Sequence, residues 1–231
     1  MKSLVVLLLL LARAAVASES WTSSLARMPL AEPLTDLNRT NAVSVIIRSL
    51  QPDDTVKALI FMPGATDEFY FFKRAHATLP GPRPTLLDAV AALTNQTLIR
   101  ATFRPPFLLL HTAEDPLVSD NQVEHEPTAD RLRKKKITPH IVSNDRDWDS
   151  IYPDLSFELN VILLPRPPSI EANHFYRHSF AAHHLSAFEF LEALTLAGKS
   201  RFIVEKRRIV FHPDPRVLGS PPTEGISTFK P

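Results

Sequence analysis

The chain of 231 residues contains no cysteine. That excludes a disulfide framework, a thiol nucleophile, a thiolate metal site and a lipid-modified N-terminal cysteine. Glycine is scarce, at five residues, so sharp glycine turns and glycine-lined anion loops are hard to build. Charge of one sign is missing too: 26 basic residues against 25 acidic give a net +1, which offers no strong pull toward DNA or anionic lipid. Beyond the N-terminus there is no apolar run long enough to span a bilayer. What is abundant is proline, at 21 residues, much of it flanking expected strands, where it protects edges. With 44% hydrophobic residues the chain can bury one core or two smaller ones without covalent help.

The N-terminus reads as a signal peptide, residues 1–17. Lys2 is the positive region, Leu4 to Leu11 the apolar region, and Ala15-Val16-Ala17 the small-residue cleavage signal. The expectation is an exported protein, periplasmic or secreted, of a bacterial kind, cut near Ala17. An exported chain without disulfides suits that compartment.

One stretch organises the rest. Ser186 to His212 reads as a capped helix, a turn and two antiparallel strands. Ser186 and Glu189 form a capping-box pattern, and Ala187, Phe188, Leu191, Leu194 and Thr195 recur at helical spacing. Gly198 is placed for a left-handed helix stop. Phe202 and Val204 alternate with Ile203 and Glu205, Lys206-Arg207 falls at a turn, and Ile209 to Phe211 supplies the next strand. Thr85 to His111 repeats this unit without a gap at an offset of 101 positions: Ala92-Leu93-Thr94 falls on Ala193-Leu194-Thr195, Arg100 on Arg201 and His111 on His212. Upstream, Val56–Pro63 resembles Glu158–Pro165. Agreement of cap, apolar face, turn and strand pair in one register points to an internal duplication.

The expected fold is therefore α+β: two tandem strand–helix–hairpin repeats, with small mixed or antiparallel sheets each covered by a helix. The expected divisions are a lead-in at 18–52, a first repeat at 53–112, an exposed linker at 113–136, a second repeat at 137–213 and a disordered tail at 214–231. Within them, 41–50 reads equally as helix or strand, 67–73 as a strand, 137–143 as a strand, 144–150 as a polar loop and 156–164 as a strand. The basic run Arg131 to Lys136 reads as a solvated helix end or linker, with a contact for an acidic partner or lipid headgroups as the alternative.

Catalytic patterns are sparse. Pro106–Leu117 and Val56–Gly64 are similar to strands of the α/β-hydrolase fold, but no G-x-S-x-G elbow exists. Asp145, Asp147 and Asp149 alternate like a calcium loop, but Ser150 and Ser156 stand where Gly and Glu are required. His174 and His178 have the spacing to share a helix face and hold a metal with Asp145 and Asp147, which would make a metal-assisted secreted hydrolase the alternative reading. Alternation along a strand would instead split these histidines between two faces. No P-loop, dinucleotide fingerprint or zinc-finger spacing is present. No cofactor is implied, and no nucleic-acid partner.

The unit of strand, helix and hairpin, carried by Thr85 to Thr97 with Leu98–Phe103 and Leu108–His111, and by Ser186–Leu196 with Arg201–Val204 and Ile209–His212, resembles the STN module. That module stands at the N-terminus of secretins and some TonB-dependent receptors. This chain departs from it in lacking a pore or barrel domain and, in its first copy, a glycine after the helix. The resemblance implies a non-catalytic envelope module that binds another envelope protein, with no integral membrane span after signal cleavage. The residues expected to make contact are Arg201, Arg207, Arg208 and Trp148, with a sheet edge as one way of offering a surface.

Overall fold

The computed structural model describes residues 21–32, 34–62, 73–112, 120–137, 140–146, 155–165, 178–198 and 200–213. In chain order the elements are β1 (Asp36–Asn38), α1 (Arg39–Ser49), β2 (Ala58–Met62), β3 (His76–Thr78), α2 (Leu86–Gln96), β4 (Arg100–Arg104) and β5 (Phe107–His111). They continue with β6 (Gln122–Val123), α3 (Glu126–Lys134), β7 (His140–Arg146), β8 (Ile162–Pro165), β9 (His178–Ala182), α4 (Ala187–Ala197), β10 (Ser200–Val204) and β11 (Arg208–Pro213). Short helical stretches also occupy residues 21–26 and 155–159. The fold is α+β, with a five-stranded sheet in the order β4-β5-β2-β9-β7, a four-stranded sheet β6-β10-β11-β8 and a two-stranded ribbon β1-β3.

Local chemistry sets the helix starts. Thr85 accepts from the Asp88 amide while the Asp88 carboxylate accepts from the Thr85 amide, and Ser186 and Glu189 repeat the exchange. Each box satisfies two amides that the first helical turn would otherwise leave unpaired.

Packing sets the layers. Strands β2 and β5 are buried at every position and pair in parallel, as continuous apolar runs do when both sheet faces are covered. One face carries Leu59, Phe61, Leu108 and Leu110 into a core shared with Ile46 and Ile47 of α1 and Val90 of α2. The opposite face carries Ala58, Ile60, Phe107 and Leu109 into a second core with α4. That core continues through Phe190, Leu191 and Leu194 to Phe202, Val204, Ile209 and Phe211 of the four-stranded sheet. Helix α4 is thus held between two sheets. Only Phe188, Glu189 and Glu192 escape full burial along it, whereas its spacing had predicted a single apolar face. A helix apolar nearly all round is one buried nearly all round.

Several local expectations change. Residues 41–50 resolve as helix rather than strand. The lead-in is packed, with Leu25 fully buried and Met28 nearly so. Residues 113–136 do not form a bare linker: β6 and α3 lie there, and Ala129 and Leu132 are fully buried. The stretch 156–164 begins with a helical turn before β8, and β7 runs on to Arg146 through the expected polar loop. Gly198 has φ −92, so no left-handed stop is used; its amide simply bonds the Leu194 carbonyl at 2.9 Å. The expected strand at 67–73 and the tail at 214–231 fall wholly or almost wholly outside the described residues.

Several pairings recur at comparable places in the two parts of the chain. Arg100 faces His111 across β4–β5, and Arg201 faces His212 across β10–β11. Ala58 aligns with Phe107 across β2–β5, as Ile162 aligns with Arg208 across β8–β11, which shifts the expected match of Val56–Pro63 with Glu158–Pro165 by two positions. Met28 accepts from the Leu86 amide at 2.7 Å, as Lys135 accepts from the Ala187 amide at 2.7 Å. Pro29 bridges Thr85, as Lys136 bridges Ser186. Thr78 stands opposite Asp36 in the ribbon, as Ala182 stands opposite His140.

Candidate functional site

These correspondences locate a surface. In the five-stranded sheet the face bearing Ala58, Ile60, Phe107 and Leu109 is covered by α4. Its counterpart in the four-stranded sheet bears Ile162 and Leu164 on β8, Arg208, Val210 and His212 on β11, and Arg201 and Ile203 on β10. Ile162, Leu164, Ile203 and Val210 belong to neither hydrophobic core. Ile162 is 59% exposed and Leu164 36%, and Phe157, on the helical turn just before β8, is 91% exposed. Val210, in the middle of this face, is buried and Ile203 half-buried, so the open part is the β8 edge; apolar side chains left exposed at an edge are what a docking surface offers.

The basic rim of this face is built rather than incidental. The turn after β10 closes through the Glu205 amide to the Arg208 carbonyl at 2.9 Å, and the Glu205 carboxylate pairs with the Arg208 guanidinium. Beneath it, the Thr128 hydroxyl donates to the Lys206 carbonyl at 2.8 Å, and Thr128 itself is held by His125 Nδ1 at 2.8 Å. On the other side the Arg207 carbonyl accepts from the Ile162 amide at 3.0 Å. Lys206, Arg207 and Arg208 are all exposed. The hydrogen bond and charge of Glu205 raise the Arg208 pKa further above its ordinary value, so this cation is permanent. Arg201 is half-buried on the same face, with its Nε buried and without a hydrogen-bond partner.

The residues singled out in the sequence therefore divide. Arg201 and Arg208 share the outer face, and Arg207 lies on the turn at its rim. Trp148, His174 and Asp147 lie outside the described residues. Asp145 and His178 fall in β7 and β9, where the backbone pairs Arg146, one place beyond Asp145, with His178. Among the described residues no group of three His, Asp or Glu side chains is close enough together to hold a metal ion. His111 ends β5, whereas His212 stands one place before the end of β11; His111 is buried, and its Nε2 lies 2.9 Å from the Thr102 hydroxyl. What the sequence concealed was Ile162, Leu164 and Phe157. A run of apolar residues in a strand reads as core, and only the exposure of one face among the described residues makes it surface. Among the described residues no helix is long and apolar enough to cross a membrane.

No protein-family model, curated protein or solved structure matches this chain.

Proposed function

We propose that the protein is an exported, non-catalytic protein-binding or scaffold module whose contact surface is the outer face of the four-stranded sheet. The observation that carries this reading is the pair Ile162 and Leu164, exposed among the described residues on a strand whose counterpart β2 is buried at every residue. Around that apolar ridge stand Arg201, Arg207 and Arg208, so the fitting partner is a protein with an apolar patch inside an acidic rim. The leader-like N-terminus supports export, and the resemblance to STN modules supports an envelope protein as the partner. A scaffold role needs no catalytic group.

The test is an affinity capture from the envelope fraction of the source organism with the full chain and with an Ile162→Lys, Arg208→Glu variant. Both substitutions lie on exposed positions and leave the core alone. The expected result is one stoichiometric protein retained by the parent chain and lost by the variant. Equal capture by both would refute this surface. No capture by either chain would refute the binding role.

A further inference from the structure

The two sheets differ at one more edge. In the four-stranded sheet the outer edge of β10 is occupied by β6, which runs parallel to it with Gln122 beside Ile203 and Val123 beside Val204. The contact is made of backbone and one side chain. The Phe202 amide donates to Asn121 Oδ1 at 2.9 Å, and the Val204 carbonyl accepts from the Glu124 and His125 amides at 2.9 and 3.1 Å. Val123 then packs its side chain against the core beside α4.

The matching edge belongs to β4, which ends the five-stranded sheet with no strand beyond it among the described residues. By the shared register, Ala101 stands where Phe202 stands and Phe103 where Val204 stands. Their amides and carbonyls therefore face outward from the sheet. Beside this edge lies a groove of about 390 Å³ between α2 and the start of β4, walled by Trp21, Leu87, Val90, Ile99 and Ala101. Trp21 stacks on Phe103 with ring centroids 6.0 Å apart and so forms the end wall. Exposed Arg100 stands at the mouth. An unpaired edge with an apolar groove beside it is the arrangement that strand addition uses: main-chain bonds give affinity and a side-chain pocket gives selectivity.

We propose that the β4 edge and its groove form an acceptor site for an extended segment of a partner protein, running parallel to β4. The chemistry of that segment is read from what fills the same place on β10. It has an Asn-like acceptor to take the Ala101 amide, a β-branched apolar residue two places on, which the register sets beside Phe103 against the Trp21 wall of the groove, and backbone amides after it for the Phe103 carbonyl. Acidic flanks, like Asp120 and Glu124 around β6, suit Arg100. The site is separate from the outer face of the four-stranded sheet and shares with it only the reading of the chain as a binding module.

The probe is the chain's own edge sequence, an end-blocked peptide of Asp120 to Glu124, titrated into the full-length protein and followed by amide chemical shifts. Saturable shifts centred on Ala101 and Phe103 are expected. A peptide with Val123→Asp should bind at least about tenfold more weakly, and so should the parent peptide on an Ala91→Phe protein, whose new ring fills the groove from the outer surface of α2. Shifts centred on Phe202 and Val204 instead would mean only exchange with β6 and would overturn the proposal. Equal shifts with the Val123→Asp peptide would do the same. Concentration-dependent shifts of Ala101 without peptide would make a second copy the occupant. Binding that appears only in a chain beginning at Ser18 would make the chain's own N-terminal residues the occupant. Either result would replace the partner proposed. Envelope capture lost on Ile162→Lys, Arg208→Glu but unchanged on Ala91→Phe separates this site from the sheet face.

Discussion

The side-chain amide of Gln96 bonds the backbone of Thr78 twice: Gln96 Oε1 accepts from the Thr78 amide and Gln96 Nε2 donates to the Thr78 carbonyl, each at 2.9 Å. Thr78 is the last residue of β3, and Ala182, its counterpart in β9, pairs with Ala58 of β2. Gln96 therefore supplies from a side chain what a neighbouring strand supplies in the other half. Capping an edge in this way removes a template for pairing with other chains. Gln96→Ala is expected to cost about 1 kcal/mol or less, since these bonds are exposed. Its larger effect should be concentration-dependent self-association, seen by sedimentation velocity. A variant that stays monomeric at high concentration would show that the cap has no such role.

His183, directly after β9, is buried, and neither ring nitrogen reaches a partner in hydrogen-bond geometry. Burial pushes its pKa below the ordinary imidazole value; the Leu50 carbonyl opposes the shift, and neighbouring His184 adds to it. The folded chain therefore takes up this proton less readily than the unfolded chain does. Stability tied to His183 is fully present above about pH 6.5, the unfolded value, and is lost as the pH falls toward the folded value. Urea midpoints at pH 7.5 and 5.5 should differ more for the parent chain than for His183→Phe. Equal acid sensitivity of the two chains would remove His183 as the cause.

Glu192 behaves in the opposite sense. Burial raises its pKa, and Glu189 raises it further, while Arg104 and Arg133 pull it back. A carboxylate held above its unfolded value favours the fold when protonated, and that stability is lost as the pH rises through the folded value. At pH 7 its charge is thus a net cost. Glu192→Gln is expected to raise the thermal midpoint at pH 7, with the gain vanishing below about pH 4.5. A lower midpoint at pH 7 would mean that attraction to Arg104, whose Nη1 is buried without a hydrogen-bond partner, outweighs desolvation.

How far the sequence reveals this fold follows from which forces act locally. The capping boxes at Thr85 and Ser186, helices α2 and α4 and both hairpins are short-range patterns, so they are legible in the sequence. Helix α3 was hidden because only Thr128, Ala129 and Leu132 are buried within a polar, basic stretch. The sharing of strands was hidden because pairing between β2 and β9 joins residues far apart in the chain, and no local pattern encodes it. The candidate surface was half visible. Arg201, Arg207 and Arg208 stood out by charge and position in the hairpin, whereas Ile162 and Leu164 look like core until they are seen to stand exposed among the described residues.

That sharing has a consequence for the division at 113–136. Strand β9 inserts between β2 and β7, so residues from beyond the division complete the sheet begun before it. Ala181 lies in the core of the first half, and Phe180 and α4 cover the opposite face of its sheet. Removing the second half would bare the buried faces of β2 and β5, and removing the first would bare Phe180 and the side of α4 that packs on them, in each case a hydrophobic loss far greater than the stability of a typical domain could absorb. A protease site engineered between Thr112 and Asp120 should therefore give a nicked protein whose two fragments co-elute in native buffer and separate only in denaturant. Each fragment expressed alone should lack a cooperative unfolding transition. Two independently folded fragments that elute apart would show that the shared sheet is dispensable, and would return the chain to a pair of separate modules.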